Sequence, residues 1–538
     1  MTEAIERSSP LALLPAGFFE LSGSKKVNTL LSLEDPAAFI QGLREDEFYF
    51  LVHDIGPSDS LELVEMSTPE QRVALIDFDA WEKDELAPGE LDNWLDLLWH
   101  ANPDIAVETV RSLDPELLTT YLMRSVVAIF DRTEEDEIRD ASGEYEIVTS
   151  PDMDFTFLVD PAESDAVAHL RRLLDLLWRG DGHFGRSVIF SARSGLLFEQ
   201  TELAYGFRMA RLADLGFPDL EVAWQLFAPV DPDRVKRTLE LGRASGGSAL
   251  HVALARSGRP ARFLNAALDA AESPEAFLVD FGFMVNRAVV VSPNGMAQLD
   301  PERLAPLARR VHATISLGLE WIADGSVSHA AELLRGGAAP LVLHQVGHAL
   351  AMKLARRATP LAPKVRGLLE PADQALLDGL GTRPGPSYAG RSATVGAIEA
   401  RAFETVAELT DADARLTTVE NLFAAFEGAF GFNRAAFEAH APGDPALLTL
   451  QTLAATLVAH LLVNEVPSFE PLDGAALTAA AGQLERLDAV VSEWAQRVTG
   501  AEVALAVGAA ALRDTLGGIR GPVDPRFVVG ALRVRAGE

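Results

Sequence analysis

Cysteine is absent from the 538 residues, which excludes a disulfide framework and thiolate chemistry and leaves any metal site to His, Asp and Glu. Long apolar runs are missing as well. The longest, residues 453–463, is interrupted by His460 and falls far short of the roughly 20 residues that a membrane-spanning helix needs. The N-terminal stretch has Glu3, Glu6 and Arg7 in place of a basic lead, and Pro15 interrupts its apolar run. No secretory signal is expected from that pattern, and a cytoplasmic location follows. No run of consecutive bases is longer than a pair such as Lys25-Lys26 or Arg356-Arg357, too little to bind a nucleic-acid backbone through clustered cations. No GxxxxGK[ST] loop occurs, and Gly246-Gly247-Ser248-Ala249-Leu250 lacks the second glycine of a hydrolase nucleophile elbow.

What the chain has in excess is negative charge, unevenly placed. Its 79 Asp and Glu against 46 Lys and Arg give −33. Residues 1–165 hold 38 acids against 10 bases and carry −28; the remainder holds 41 against 36 and carries −5. A field of one sign repels polyanions and attracts cations or basic protein surfaces. A protein partner for the acidic region is the expectation. Hydrophobic residues, at 48%, supply ample core, and a chain this long outgrows a single one.

The organisation reads as mostly α. Asp35-Pro36, Asp114-Pro115, Asp160-Pro161, Asp231-Pro232, Asp300-Pro301, Asp444-Pro445 and Asp524-Pro525 are helix-start signals, with Thr68-Pro69, Asn102-Pro103 and Ser273-Pro274 as variants. In each, a capping side chain meets an orphan N–H and proline takes the first turn without losing a bond. Thr68 and Gln71 have capping-box spacing. After Asp160-Pro161, Ala166, Leu170, Leu173, Leu174 and Leu177 fall on one helical face. One β-hairpin is expected from residues 145–150 and 154–159, and the acidic residues 134–143 before it read as a solvated loop. The Gly/Pro-rich residues 379–390 break helical periodicity. These breaks divide the chain into an acidic array of short helices ending in the hairpin, 1–165; a central helical part, 166–390; and an Ala/Leu-rich helical bundle, 391–538.

Residues 36–130 carry short helices of similar style, with apolar groups such as Leu61/Leu63/Val64 and Leu75/Ile76 between acidic capped turns, a pattern that suggests a degenerate helical repeat. In style, they resemble the acidic helical N-terminal domain of MgtE-type magnesium transporters. That resemblance implies a stacked array whose acidic face responds to divalent cations; the CBS modules and membrane channel of those proteins have no counterpart here. Residues 202–221, with Tyr205, Arg208, Arg211, Gly216 and Pro218, are similar to a segment of a family of uncharacterised, largely helical bacterial proteins, which implies no activity. Gly216 reads as a left-handed helix cap with Pro218 beyond it. The i, i+3, i+6 spacing of Tyr205, Arg208 and Arg211 is ordinary helix-surface spacing, and packing is their expected role.

Candidate chemistry is sparse. Gly180-Asp-Gly182-His-Phe-Gly185 has the letters of a dinucleotide fingerprint, but a helical run precedes it and the β-leaning residues 187–190 follow. That is the reverse of the strand-then-helix context the motif needs, and a helix-to-strand loop is expected. His344 and His348, at i and i+4, share a helix face as in the zincin HExxH, with Gln345 where that motif has its general base. In a helical hairpin turning at Gly336-Gly337, His329 would lie opposite Val346 and add a third zinc ligand. The other reading is packing of His344 and His348 against a neighbouring helix. Acidic pairs such as Asp77/Asp79 and Asp84/Glu85 offer oxygen ligands to magnesium or calcium, or form a solvated face.

The leading expectation is a non-enzymatic cytoplasmic scaffold or regulatory protein that binds a protein partner through its acidic N-terminal region. Two alternatives stand beside it: a zinc-dependent enzyme or sensor built on His329, His344 and His348, and a divalent-cation sensor using the acidic region.

Overall fold

A computed structural model of the chain describes all residues except 1–9, 11–13, 16, 142, 163–164, 239–262, 272–274, 294, 297–300, 392–397, 435–436, 438–447 and 536–538. Asp444-Pro445, Ser273-Pro274 and Gly246-Gly247-Ser248 lie outside the described residues, as does Asp300. The fold is mostly α, with 24 α-helices and three small antiparallel sheets among the described residues. The chain divides into two compact units. One comprises Met1–Ala228, Leu239–His312 and Ser326–His344; the other comprises Pro229–Thr238, Ala313–Gly325 and Gln345–Glu538.

The first unit begins with eight short helices: α1 Gly23–Leu31, α2 Pro36–Gln41, α3 Glu45–Ile55, α4 Leu61–Met66, α5 Pro69–Asp79, α6 Pro88–Ala101, α7 Pro103–Ser112 and α8 Pro115–Ser125. Of the expected start signals here, Asp35, Thr68 and Asn102 cap their helices, whereas Asp114 makes no side-chain cap bond to α8. The Asp35 carboxylate accepts from the Ala38 N–H, and Asn102 accepts from Asp104. Thr68 and Gln71 close a full capping box, with bonds of 3.2 and 2.9 Å. The helices stack in two rows. Helix α1 touches α3, α3 touches α5 and α5 touches α7, while α2 touches α4, α4 touches α6 and α6 touches α8. Next-but-one contact of this kind is solenoid packing, and the last helices of the stack, α7 and α8, also pack on helices that follow in the chain. A two-residue hairpin, β1 Trp81–Glu82 with β2 Glu85–Leu86, joins α5 to α6.

The expected hairpin is present as β4 Glu146–Thr149 and β5 Phe155–Val159, with Glu146 opposite Val159. It is part of a larger sheet than expected. A third strand, β3 Ala128–Asp131, pairs with β5 to give the order β3-β5-β4. The acidic stretch read as a loop contains helix α9, Glu135–Ala141, in which Arg139 pairs with Asp136. Acidic residues at a helix start are favoured by the helix dipole, so charge alone did not mean loop.

Two further sequence expectations are corrected after the sheet. The helix expected at Asp160-Pro161 begins only at Ala166, because the Asp160 carboxylate closes a local turn on the Ala162 N–H. That helix, α10, runs over Ala166–Ser194 and absorbs both the glycine-rich segment and the β-leaning residues after it. Asp181 leaves helical geometry (φ −160°, ψ 106°), and its carboxylate caps the His183 N–H at 2.9 Å, restarting the helix after a kink. The apolar face then continues through Val188, Ile189 and Ala192, all buried. Tertiary burial of one face overrides the weak local β preference.

Beyond α10 come α11 Leu197–Asp214, α12 Leu220–Ala223, α13 Pro232–Thr238, α14 Phe263–Ala270, α15 Glu275–Val290, α16 Pro301–Ile322, α17 Val327–Arg335 and α18 Pro340–Val365. Then follow α19 Pro371–Leu380, the hairpin β6 Ser387–Arg391 with β7 Ile398–Ala402, α20 Val406–Phe430, α21 Leu450–Asn464, α22 Gly474–Gly482, α23 Leu487–Arg497 and α24 Glu502–Leu516. The core of the second unit centres on α21, which is buried at every position from Thr452 to Leu462, its polar side chains Thr452, Thr456 and His460 being hydrogen-bonded to Gly530, Arg533 and Glu470. Helix α24 crosses it at Gly508, where a Cβ would stand 2.3 Å from the Ala454 carbonyl oxygen. The longest apolar run of the sequence is thus a core helix. No helix among the described residues is long and apolar enough to cross a membrane.

Candidate functional site

Helix α11 and the turn after it collect the unusual chemistry of the first unit. Its inner face carries Ala204, Arg208 and Leu212, at the i, i+4, i+8 spacing that keeps side chains on one stripe, with Met209 beside them, all buried. Arg208 is 2% exposed. Its Nε donates to the Asp77 carbonyl oxygen at 2.6 Å, and its guanidinium lies 5.4 Å from the Trp81 ring and 5.8 Å from that of Tyr205. Burial pulls the Arg208 pKa down to about 10, opposed in part by Asp77. Arg211 makes two forked contacts, to Asp77 at 2.7 and 2.9 Å and to Asp114 at 3.0 and 2.7 Å. Burial alone would lower its pKa, but these bonds outweigh burial and raise it. The Asp77 carboxyl is pushed up by burial and pulled down by Arg211. These contacts tie α11 to the ends of α5 and α8, and Arg208 and Arg211 have the packing role expected of them.

The outer face is of a different kind. Leu203 and Phe207 are about half exposed, Leu196 more so, and Gly206 and Ala210 lie beside them, also exposed. By helical periodicity Leu203, Phe207 and Ala210 form one stripe opposite Arg208 and Leu212, and Leu196 precedes the helix in extended conformation. Glu199, Glu202 and Asp214 stand exposed along it. Sequence reasoning missed this stripe because α11 is apolar on two sides, so periodicity alone cannot tell the buried side from the open one. The available signal was the pair of arginines, whose partners draw the side bearing them inward.

The turn after α11 is held from both sides. Gly216 has φ +89°, and a Cβ there would stand 1.9 Å from Phe283 Cδ1, so both backbone and space require glycine. The Leu215 carbonyl oxygen accepts from Asn286 Nδ2 at 2.9 Å and from Arg44 Nη2 at 3.4 Å. Phe217 is fully buried and edge-on to Phe78 at 5.1 Å. Beside this turn lies a cavity of about 360 Å³, lined by Gly216, Pro218, Phe283, Met284 and Leu341, with Asp280 and Arg287 bringing opposite charges to it. Burial lowers the Arg287 pKa, and Asp280 opposes that shift.

The residues proposed from sequence as ligands have these places. His329 is exposed near the start of α17, where its N–H is capped by Ser326 Oγ. His344 is buried, donates from Nδ1 to the Leu226 carbonyl at 3.1 Å and stands edge-on to Phe227. His348 is buried one turn further along α18. Among the described residues no group of three or more His, Asp or Glu is placed to hold a metal ion. Asp77 is engaged by Arg211, and the Asp79 carboxylate accepts from Tyr49 Oη at 2.6 Å and Trp94 Nε1 at 3.0 Å, with His53 Nε2 also at 3.0 Å. Asp84 and Glu85 are exposed at the β1–β2 turn.

No curated protein and no solved structure matches the chain significantly, and the likeness of residues 36–130 to the MgtE N-terminal domain finds no support. A family model described as a family of unknown function, DUF6178, matches residues 4–519, and the chain belongs to that family.

Proposed function

We propose that the protein is a non-enzymatic scaffold or regulatory protein that binds a basic protein partner through the acidic surface of its N-terminal region. The observation that carries this reading is the excess of exposed carboxylates over bases in residues 1–165. Lys26 is 4% exposed and Arg72 1%, each drawn into an ion pair, with Asp54 and Glu108 respectively. Asp59, Glu62, Glu70, Glu82, Asp84, Glu90 and Asp104 stand exposed. Asp46, Glu47 and Asp77 are buried as well, so burial removes acids and bases in similar number and the excess of acid counted in the sequence stays at the solvent face, where such a field steers basic surfaces into encounter.

The test compares proteins captured from a lysate by immobilised full-length chain with those captured by a variant carrying Glu62→Gln, Glu70→Gln, Glu82→Gln and Asp104→Asn. The proposal expects basic proteins on the unaltered chain that wash off as salt rises past the range where the Debye length shrinks below about 8 Å, and few on the variant. Equal capture by both, or capture indifferent to salt, overturns it.

A further inference from the structure

We infer that the outer face of α11 is the docking surface for a basic amphipathic helix of the partner, an inference that rests on the partner-binding reading above. Three observations converge on it. Of the fifteen exposed large apolar side chains among the described residues, eight lie between Phe190 and Trp224. Scattered apolar residues are normal on a surface, but a contiguous group marks an interaction site. On α11 Leu203 and Phe207 lie one turn apart, with the exposed Ala210 beyond them and the exposed Leu196 just before the first turn, along a helix of 18 residues, about 27 Å long at 1.5 Å per residue. At Gly206 an added Cβ would meet nothing within 4 Å, so a partner backbone can approach closely there.

The charges choose the occupant. From Leu196 to Ala228 every exposed charged side chain is a carboxylate: Glu199, Glu202, Asp214, Asp219 and Glu221. The two cations of this stretch, Arg208 and Arg211, are both committed to the interior contacts with Asp77 and Asp114. An apolar stripe rimmed only by acids is complementary to a helix whose apolar face is flanked by Lys or Arg. A second copy would oppose acid to acid across the seam, and an anionic lipid surface would meet the same repulsion.

The test uses the full-length chain and a fluorescent 18-residue amphipathic Leu/Lys peptide, read by anisotropy at low salt. A Leu/Lys peptide with its periodicity scrambled and a Leu/Glu counterpart serve as controls. The amphipathic basic peptide is expected to bind and both controls to bind at least about tenfold more weakly. Leu203→Ser with Phe207→Ser is expected to weaken binding at least about tenfold without lowering the melting temperature, since both side chains are about half exposed. Glu199→Gln with Glu202→Gln is expected to weaken it and flatten its salt dependence. Neutralising Glu62, Glu70, Glu82 and Asp104 slows association while leaving dissociation unchanged.

Binding unaltered by the α11 substitutions but lost on neutralising the N-terminal acids overturns the α11 surface and leaves the broader reading standing. A failure of the amphipathic peptide to bind overturns the α11 surface, while the lysate experiment judges the broader reading separately. A dimer in sedimentation that Leu203→Ser with Phe207→Ser dissociates assigns the face to a second copy and overturns the proposal, as does binding to anionic vesicles that the same substitutions abolish.

Discussion

Arg211 holds Asp77 and Asp114 at the same time, so one guanidinium on α11 joins the end of α5 to the start of α8. Asp77 is 3% exposed and has no access to water if its partner is removed. Arg211→Met is therefore expected to destabilise the first unit by about 3 kcal/mol, at the low end for a broken buried pair because Arg211 itself is partly exposed. Restoring neutrality with Asp77→Asn in the same chain should recover part of the loss. Urea midpoints of the single and double variants check both statements.

The Gly216 turn gives a sharper steric test. Gly216→Ala adds a left-handed backbone penalty and a collision with Phe283, and about 2 kcal/mol or more of stability should be lost. Adding Phe283→Ala relieves the collision but not the backbone strain, so the double-mutant cycle should show a favourable coupling between the two positions. Additive losses in that cycle would contradict the contact.

Gln71 does more than cap α5. Its Nε2 also donates to the carbonyls of Ile40 and Leu43, each at 2.8 Å, and the side chain is buried. Thr68→Ala should cost about 1 kcal/mol, the usual worth of a cap. Gln71→Ala should cost about twice as much, because two buried acceptors lose their donor. Thermal or urea unfolding of the two variants orders them.

Tyr121 makes the fold sensitive to alkali. Burial, reinforced by the Asp92 carboxylate to which its hydroxyl donates, pushes the phenol well above its ordinary value. A group whose folded pKa is raised contributes stability that is intact below the unfolded pKa, about 10 for tyrosine, and is lost as pH climbs beyond it. Ultraviolet titration of the unaltered chain and of Tyr121→Phe should differ by one tyrosine that ionises only with unfolding, and the substitution should flatten the fall in stability above about pH 10.

Much of this architecture was legible in the chain. Asp35-Pro36, Thr68-Pro69 and Asn102-Pro103 start helices where local chemistry places them, because a cap needs only its own first turn. Strand β3 was not legible: Ala128–Asp131 is defined by pairing with residues 155–158, a distant relation with no local signature. The kinked α10 hid for the opposite reason, since Gly180 to Gly185 looks like a loop until its neighbours are known. A Cβ on Gly180 would crowd Arg111 Cγ at 2.9 Å, and one on Gly185 would stand 3.2 Å from both Leu177 and Trp178, so close packing asks for those glycines. The proposed docking face divides the same way. Its acids and apolar residues could be read in order, but the direction α11 faces depends on Asp77 and Asp114, about 134 and 97 residues away.

The two-row stack of α1 to α8 has an evolutionary corollary. Because each helix leans on the one two places along, an inserted or deleted pair keeps both rows in phase, whereas a single added helix would exchange the rows for everything after it. Length differences among members of the family between the positions of Gly23 and Ser125 should therefore come as whole helical hairpins. The seam where α11 seats on α5 and α8 should tolerate no such change, since Arg211 must still find both of its carboxylates.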